Sequence, residues 1–436
     1  MAEAAPRLVP LEGGVIASDL SVELFWSALG ARPLATLRAC LRHAGRPAAR
    51  RAGIARLAPL RLDLLPTAPG AEARIAAAGG SAAGVISTAD KSVASRIAAA
   101  RGLAGPVLAS DGRTLMRGRP RAAALSALGA AEPGPAPRRP VAAGALLRAL
   151  RPHQWVKNVL LLLPMIAAHD FTLATLWPVL LGVAAFSLGA SAIYVVNDLL
   201  DLDADRLHPT KRHRPFASGQ VPARLGTLLG LGAGAAALAL GLVAGPGFLA
   251  VLVLYMVLSL AYSLRLKRLR WIDIFTLAML YTLRVVAGAA AGQIALSLAM
   301  LVFVFPIFLV LGCVKRMTEL AFARGDARLP GRGYGRRDRG DLLNMAALGT
   351  VATLVIFAFY TTTGQAQALY PDRWILWLAL LPMALWLLRM VLLGYHGRQD
   401  HDPIVFALRD LMGLGLLCLT LSLMFWAAGL WAEWFG

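Results

Sequence analysis

Residues 197–205 read Asn197-Asp-Leu-Leu-Asp-Leu-Asp-Ala-Asp205 and place four carboxylates at the end of a long apolar run. Carboxylates at a membrane boundary are costly unless a cation compensates them. On a helix, Asp198, Asp201 and Asp205 recur at i, i+3 and i+7, so they share one face. Carboxylates at this sparse spacing, with Asn197 adding a neutral oxygen, are typical of a Mg²⁺ site that also binds substrate phosphates. The alternative is an acidic cap at the membrane interface without a metal.

The residues that follow, His208-Pro-Thr-Lys-Arg-His-Arg-Pro-Phe-Ala-Ser-Gly219, are rich in cations. Lys211, Arg212 and Arg214 lie beside the carboxylates in sequence, an arrangement suited to a polyanion bridged by a metal. We therefore interpret these three cations as phosphate ligands. The alternative is a basic cluster that only fixes topology. Asp203 points away from the shared carboxylate face and is expected to face solvent.

Outside this stretch the chain is strongly apolar: 58% of its 436 residues are hydrophobic and 16% are charged. Soluble proteins rarely have this composition, and apolar runs near 20 residues are what a bilayer core requires. We predict an all-α polytopic membrane protein in which nine transmembrane helices follow a small α/β domain. The predicted spans are 157–176, 178–199, 226–245, 247–264, 274–292, 295–314, 343–363, 373–393 and 411–431.

The positive charge of the chain, formally +20, alternates from loop to loop. The connections after spans two, four, six and eight contain 20 Lys and Arg residues, whereas those after spans one, three, five and seven contain only Arg373. This pattern follows the positive-inside rule and predicts a cytoplasmic N-terminus, cytoplasmic even-numbered loops and an external C-terminus. The charge therefore reflects topology and anion binding, and we expect no nucleic-acid partner.

Several segments together carry a resemblance to a known family. The string at 197–205 is similar to the first aspartate-rich NDxxDxxxD motif of the UbiA superfamily. Its continuation through Gly219 resembles one branch in particular, the polyprenyl-phosphate phosphoribosyltransferases. Further segments that resemble this branch are Arg151-Pro-His-Gln-Trp-Val-Lys-Asn158, Tyr262-Ser-Leu-Arg-Leu-Lys267, Trp271-Ile-Asp273 and Leu283-Arg284. The resemblance covers about residues 145–435.

The resemblance implies the nine-helix fold of that superfamily, a Mg²⁺ cofactor and two substrates, a polyprenyl lipid and phosphoribosyl diphosphate. It implies substrate-binding roles for Lys157, Asn158, Tyr262, Lys267, Arg284, Lys315 and Arg316. Arg284 lies well inside an apolar span, where a functional or paired role is the default. For Lys315 and Arg316, which begin a basic loop, a purely topological role is the alternative.

The second aspartate motif departs from the pattern of aromatic prenyltransferases in the superfamily, which usually carry DxxxD. Here Asp273 is followed four residues later by Leu277, so one carboxylate remains. We expect Asp273 to be a catalytic residue; the alternative is an ion pair with Arg270 or Lys267. The missing carboxylate favours transfer of phosphoribosyl to a polyprenyl phosphate, with transfer of a prenyl group to an aromatic acceptor as the alternative. A lipid carrier ranks last, because transporters place ionisable groups near the midplane.

Residues 1–130 form a predicted α/β domain, and 131–144 a Pro-rich linker before the transferase domain at 145–436. Strands are predicted at 85–88 and 106–112. The domain resembles the haloacid-dehalogenase type, whose strand-one motif DxDGT corresponds here to Pro10-Leu-Glu-Gly-Gly14. Proline has no nucleophile, so we expect a degenerate domain without phosphatase activity. Because the first ten residues do not resemble a signal peptide, we expect this domain in the bacterial cytoplasm and the rest in the inner membrane.

Overall fold

The computed structural model describes residues 6–134, 140–323, 328–329, 332–399 and 402–435; the predicted linker at 131–144 therefore lies partly outside the described residues. The strands are β1 (Leu8–Pro10), β2 (Gly84–Asp90) and β3 (Val107–Ser110). The first helices are α1 (Leu20–Ala31), α2 (Pro33–Arg42), α3 (Pro47–Leu57), α4 (Ala71–Ala77), α5 (Lys91–Ala100), α6 (Arg119–Ala127) and α7 (Ala143–Leu150). The later helices are α8 (Leu163–Ala167), α9 (Leu173–Leu200), α10 (Leu202–Leu207), α11 (Ala223–Ala244), α12 (Pro246–Leu264), α13 (Ile272–Gly292), α14 (Leu298–Ala321), α15 (Arg339–Tyr360), α16 (Gly364–Leu369), α17 (Arg373–Leu378), α18 (Leu380–Tyr395), α19 (Pro403–Ala407), α20 (Leu411–Ala427) and α21 (Leu430–Phe435).

The chain divides into two compact units, and the first contains a small parallel sheet. This unit comprises Met1–Pro152 and Ser191–Gly234, and the second comprises His153–Ala190 and Ala235–Gly436. In the sheet, β1 pairs with β2 and β2 with β3, all in parallel. Pro10 ends β1 at the edge of this sheet, where a residue without an N–H is tolerated. The predicted α/β character of the N-terminal region is confirmed.

A second apolar core lies in the same unit. It joins α1 and α7 to the end of α9, to α10 and to the start of α11. Trp26 of α1 is buried there, and its indole N–H donates to the Thr227 hydroxyl at 2.9 Å. Burial of an aromatic ring of this size is a large apolar contribution to stability. The N-terminal residues and the loop after α9 are therefore parts of one packed unit.

The second unit is a helix bundle around α13 and α14. α14 packs against α13, α15 and α18, and α18 packs against α20. Most of α13 is buried, and small residues near its C-terminal end, including Gly288, let neighbouring backbone approach closely. The core that these helices share contains Tyr281, Phe308, Met317, Leu342 and Trp386.

Seven helical segments among the described residues are long and apolar enough to cross a membrane: Leu173–Leu200, Ala223–Ala244, Pro246–Leu264, Ile272–Gly292, Leu298–Ala321, Arg336–Tyr360 and Arg373–Tyr395. The prediction of an all-α polytopic protein is confirmed, but the count of nine spans is wrong for these residues. The predicted span 157–176 is divided between the 3₁₀ helix Pro152–Leu162 and the short α8. The last predicted span, 411–431, is interrupted because α20 ends at Ala427 and Gly429 takes a φ of +78°.

The division of the first predicted span has local causes. Pro164, which lies in the first turn of α8, has no N–H to donate to a preceding turn and so favours a helix start there. His169 then adopts a φ of +54°, a left-handed conformation that ends the segment before α9 begins. Hydropathy does not register either feature, since an average over a whole span hides the effect of one residue on the backbone.

Candidate active site

The aspartate-rich stretch lies at a break between two helices. α9 ends at Leu200, Asp201 leaves helical geometry with φ −99° and ψ 16°, and α10 begins at Leu202. The predicted uninterrupted helical face is therefore wrong. Asp198 and Asp205 nevertheless converge, because both are bound by Arg214, at 3.1 Å and 2.6 Å.

The converging carboxylates are buried and carry two arginine partners. Asp198 and Asp205 are each 3% exposed, and Arg151 forms a second ion pair with Asp198. Two carboxylates this close repel unless cations lie between or beside them. The guanidinium groups supply that compensation here. A phosphate bound at this place would meet the same two cations, because guanidinium forks bind phosphate as well as carboxylate.

The chemistry of the donor set suits a hard divalent cation, although a complete ligand set does not converge. Among the described residues, no group of three or more His, Cys, Asp or Glu side chains is arranged to hold a metal ion. The Oδ1 atom of Asn197 is buried without a hydrogen-bond partner, and an oxygen in that state is suited to coordinate a cation. Carboxylate and amide oxygens are the ligands that Mg²⁺ takes in proteins. The types of donor atom present therefore fit Mg²⁺.

The remaining acidic residues of the loop differ in their surroundings. Asp201 is half-buried at the helix break. Asp203 is also half-buried, and it accepts a hydrogen bond from the backbone N–H of Arg61 at 3.2 Å. Burial raises the pKa of the Asp203 carboxyl above its ordinary value. The expectation that Asp203 faces solvent is therefore wrong, because the N-terminal α/β region covers it.

The three predicted cations of the loop are not equivalent. Arg214 contacts both carboxylates, as described above. Lys211 and Arg212 lie in the 3₁₀ helix Lys211–His213 and are exposed. The structure thus brings one of the three predicted phosphate ligands to the carboxylates and leaves the other two on the surface of the loop.

In the second unit, Asp273 and Arg316 form a fully buried ion pair, with both side chains 0% exposed. Arg316 donates to both carboxylate oxygens of Asp273, to the Tyr262 hydroxyl at 2.7 Å and to Glu319 at 2.5 Å. Arg332, 3.8 Å from Asp273, completes the cluster. These contacts bring together three predicted residues, Asp273, Tyr262 and Arg316.

Asp273 pairs with a cation that neither prediction named. Arg270 pairs instead with Asp338 and Asp341. Lys267 is half-buried in the 3₁₀ helix Leu266–Arg268. The partner of Asp273 comes from α14, which is 43 residues away in sequence. Sequence spacing gives no sign of that pairing.

A second ionic cluster joins Lys157, Lys315 and Asp402, of which the last was not predicted. Lys157 forms a salt bridge with Asp402, and the Lys315 ammonium lies 3.9 Å from the same carboxylate. Burial disfavours the charged form of Asp402, but the two lysines outweigh it and hold the pKa of the carboxyl below its ordinary value. The cluster therefore keeps two ammonium groups close together on one carboxylate.

Arg284 is buried within α13 among neutral partners. Its guanidinium donates to the Asn158 side-chain oxygen at 3.0 Å, the Leu280 carbonyl at 2.7 Å and the Tyr255 hydroxyl at 2.9 Å. The Tyr255 ring lies 4.8 Å below the guanidinium, within the range of a cation–π contact. Two residues that the sequence predicts to bind substrate, Asn158 and Arg284, are thus brought together, and the arginine keeps its positive charge.

The model of the UbiA prenyltransferase family matches residues 158–414, which is more than half of the chain. The chain belongs to the UbiA prenyltransferase family. It is accordingly a multi-pass membrane transferase, as the sequence predicts. The matched range includes the aspartate-rich loop and, apart from Lys157, both ionic clusters of the second unit.

Several relatives are similar to this UbiA-family chain. It is 36% identical over 61% of its length to uncharacterized protein y4nM of Sinorhizobium fredii, about half (52%) of which it spans. It is 34% identical over 64% of its length to nodulation protein NoeC of Azorhizobium caulinodans and covers 91% of that protein. It is 38% identical over 41% of its length to decaprenyl-phosphate phosphoribosyltransferase of Mycobacterium tuberculosis and covers 61% of that enzyme.

Among solved structures, a UbiA homolog from Archaeoglobus fulgidus bound to DMAPP and Mg²⁺ is similar. The TM-score is 0.48 and the sequence identity 16%, and the match covers 65% of this chain and 99% of that chain.

Proposed function

We propose that this UbiA-family protein transfers a 5-phosphoribosyl group from phosphoribosyl diphosphate to a polyprenyl phosphate. The observation that carries the proposal is the state of Asp273. This carboxylate has no acidic neighbour four residues on, where Leu277 stands, and it is fully engaged by Arg316. A second metal site for a prenyl diphosphate therefore lacks its ligands. The similarity to the mycobacterial decaprenyl-phosphate enzyme supports the same assignment.

In this mechanism the acidic loop holds the donor. Asp198, Asp201, Asp205 and Asn197 would hold Mg²⁺, which supplies positive charge to the diphosphate when bound. Arg214 and Arg151 contact the carboxylates directly and would bind the donor phosphates, with Lys211 and Arg212 as further cations. The C1–O bond of the ribose breaks, and its electron pair leaves with the diphosphate.

The acceptor needs little activation. An oxygen of the lipid phosphate attacks the anomeric carbon and forms the new C1–O bond. Because a phosphate monoester is already an anion at neutral pH, no strong general base is required. We assign binding of substrate phosphate or ribose in the second unit to Lys157, Asn158, Tyr262, Lys267, Arg284, Lys315 and Arg316.

We propose the cytoplasmic face of the bacterial inner membrane as the place of this reaction. The loop after α9 and the later connections at 264–272, 314–341 and 389–410 carry most of the Lys and Arg residues of the membrane-spanning half. The polyprenyl tail would remain in the lipid. We propose residues 1–130 as a degenerate haloacid-dehalogenase-like domain without phosphatase activity, 131–144 as a linker and 145–436 as the transferase domain.

The test uses purified protein in detergent with Mg²⁺, a polyprenyl phosphate and phosphoribosyl diphosphate radiolabelled in the ribose. We expect label in the organic phase, and no transfer with EDTA. Asp198→Asn at unchanged expression is expected to lose at least about a hundredfold in activity, since it removes a proposed metal ligand. Transfer that survives both treatments would contradict the proposed metal site.

A further inference from the structure

A buried ion pair joins the N-terminal α/β region to the aspartate-rich loop. Arg206 of α10 forms a two-pronged contact with Glu23 of α1, at 2.7 Å and 2.9 Å. The Glu23 and Arg206 side chains are 1% and 6% exposed. Separating α1 from α10 would leave a buried charge without its partner, which is strongly unfavourable. The ion pair therefore holds the two helices together.

Contacts around this pair extend along the loop on both sides. The backbone N–H of Arg61 donates to the Asp203 carboxylate, and Trp26 donates to Thr227 at the start of α11. The turn at Gly219 contacts Pro66: a Cβ added at Gly219 would lie 3.5 Å from the proline ring. The N-terminal region thus contacts α10, the turn after it and α11.

The segment that receives these contacts does not hold its shape alone. α10 has six residues, and isolated helices of that length are unstable in water. It is bounded by the break at Asp201 and contains Asp205, the residue directly before Arg206. A residue that fixes the Arg206 side chain therefore also fixes the backbone that presents Asp205 to Arg214.

We propose that the N-terminal α/β region is a built-in support for the aspartate-rich loop, and that Glu23 is a positioning residue for Asp205 acting through Arg206. This inference rests on the proposed role of Asp198, Asp201 and Asp205 as metal ligands. The N-terminal region would then contribute to the transferase reaction, although Pro10, at the position of the nucleophile on its first strand, cannot act as one.

The test compares Glu23→Gln with the wild-type full chain in two measurements that need no turnover. Hydrogen exchange followed by mass spectrometry is expected to show lost protection confined to residues 202–221. Binding of Mn²⁺, a carboxylate-preferring probe for the Mg²⁺ site followed by electron paramagnetic resonance, is expected to weaken roughly ten- to hundredfold, as when groups behind metal ligands are removed. The matched control is Glu72→Gln, an exposed substitution of the same kind in α4, which should match the wild type.

Each outcome bears on the proposal. Unchanged exchange and unchanged Mn²⁺ affinity in folded Glu23→Gln would overturn it, as would protection lost throughout the chain or a wild type that binds no Mn²⁺. If Glu23→Gln does not fold, Trp26→Phe replaces it, since that change removes the hydrogen bond to Thr227 and part of the buried ring at the same contact. The same local loss is expected, and its absence overturns the proposal. A wild type that binds Mn²⁺ but transfers no phosphoribosyl contradicts only the proposed function.

Discussion

Asp402 is the residue on which the Lys157–Lys315 cluster depends. Both lysines are largely buried, with side-chain exposures of 7% and 18%, and the carboxylate is the acid that the structure places between them. Two ammonium groups at that spacing repel without a counter-charge. The cluster presents a net positive charge once Asp402 has neutralised one lysine, which suits the proposed phosphate substrates.

We expect Asp402→Asn to lower the free energy of unfolding by on the order of 3 kcal/mol at neutral pH, because it leaves buried Lys157 without its partner. The pKa of Asp402 lies below its ordinary value of 3.8 in the folded protein, so its stabilising contribution is present above that pH and disappears as the pH falls further. The difference between wild type and variant should therefore shrink below about pH 4.

Tryptophan fluorescence during unfolding in detergent, from pH 7 to pH 3, measures this difference. The control is Asp372→Asn, which changes an exposed aspartate and should follow the wild type throughout. An Asp402→Asn deficit that stays constant down to pH 3 would contradict the assigned ion pair.

Sequence alone could identify those site residues that lie close to one another along the chain. Asp198, Asp205 and Arg214 share one short stretch, and the structure brings them together. Asp402 could not be found this way, because its lysine partners lie far from it in sequence and only the tertiary fold unites them. For the same reason, the sequence suggested the nearby Arg270 or Lys267 as an ion-pair partner of Asp273, whereas the structure shows Arg316 in that role.

At the scale of elements, the close approach of α13 to the 3₁₀ helix Pro152–Leu162 depends on Gly288. A Cβ at this position would overlap the backbone carbonyl of Leu161 and lie 2.8 Å from its Cα atom. Backbone atoms cannot move aside as a flexible side chain does. The contact fixes the segment that carries Lys157 and Asn158 against the helix that carries Arg284.

We expect Gly288→Ala to lower stability by about 1–3 kcal/mol, the usual cost of overpacking a close contact. The thermal unfolding midpoint in detergent measures the effect. The matched control is Gly415→Ala in α20, where nothing lies within 4 Å of an added Cβ, and where alanine is the better helix former. Equal midpoints for the two variants would show that the Leu161 contact does not constrain α13.

Helix existence was easier to predict from sequence than helix continuity. The long apolar runs located the seven candidate spans, with ends that differ from the observed ones by up to about seven residues. The breaks at Pro164, His169 and Asp201 were missed, because hydropathy averaged over a span does not report the backbone conformation of a single residue. The break at Asp201 matters most, since it separates Asp198 on α9 from Asp205 on α10, which were predicted to share the face of one helix.

For the whole molecule, the proposed orientation can be tested without any assay of activity. In a variant whose native cysteines, Cys40, Cys313 and Cys418, are replaced by alanine, Arg268→Cys and Pro371→Cys place thiols at exposed positions in connections of opposite predicted side. A membrane-impermeant maleimide should label Pro371→Cys in intact spheroplasts and label Arg268→Cys only after permeabilisation. The reverse pattern would place the basic loops outside and contradict the positive-inside argument.

The central claim is that the chain breaks the C1–O bond of phosphoribosyl diphosphate and joins the ribose to a lipid phosphate. The most direct measurement uses a donor labelled with ¹⁴C in the ribose and ³²P in the terminal phosphate of the diphosphate, incubated with purified protein, Mg²⁺ and polyprenyl phosphate. We predict ¹⁴C in the lipid product and ³²P in the water phase as inorganic diphosphate, in equal amounts. If neither label leaves the donor while a polyprenyl diphosphate is consumed with an aromatic acid acceptor, the assignment is contradicted and the protein is an aromatic prenyltransferase.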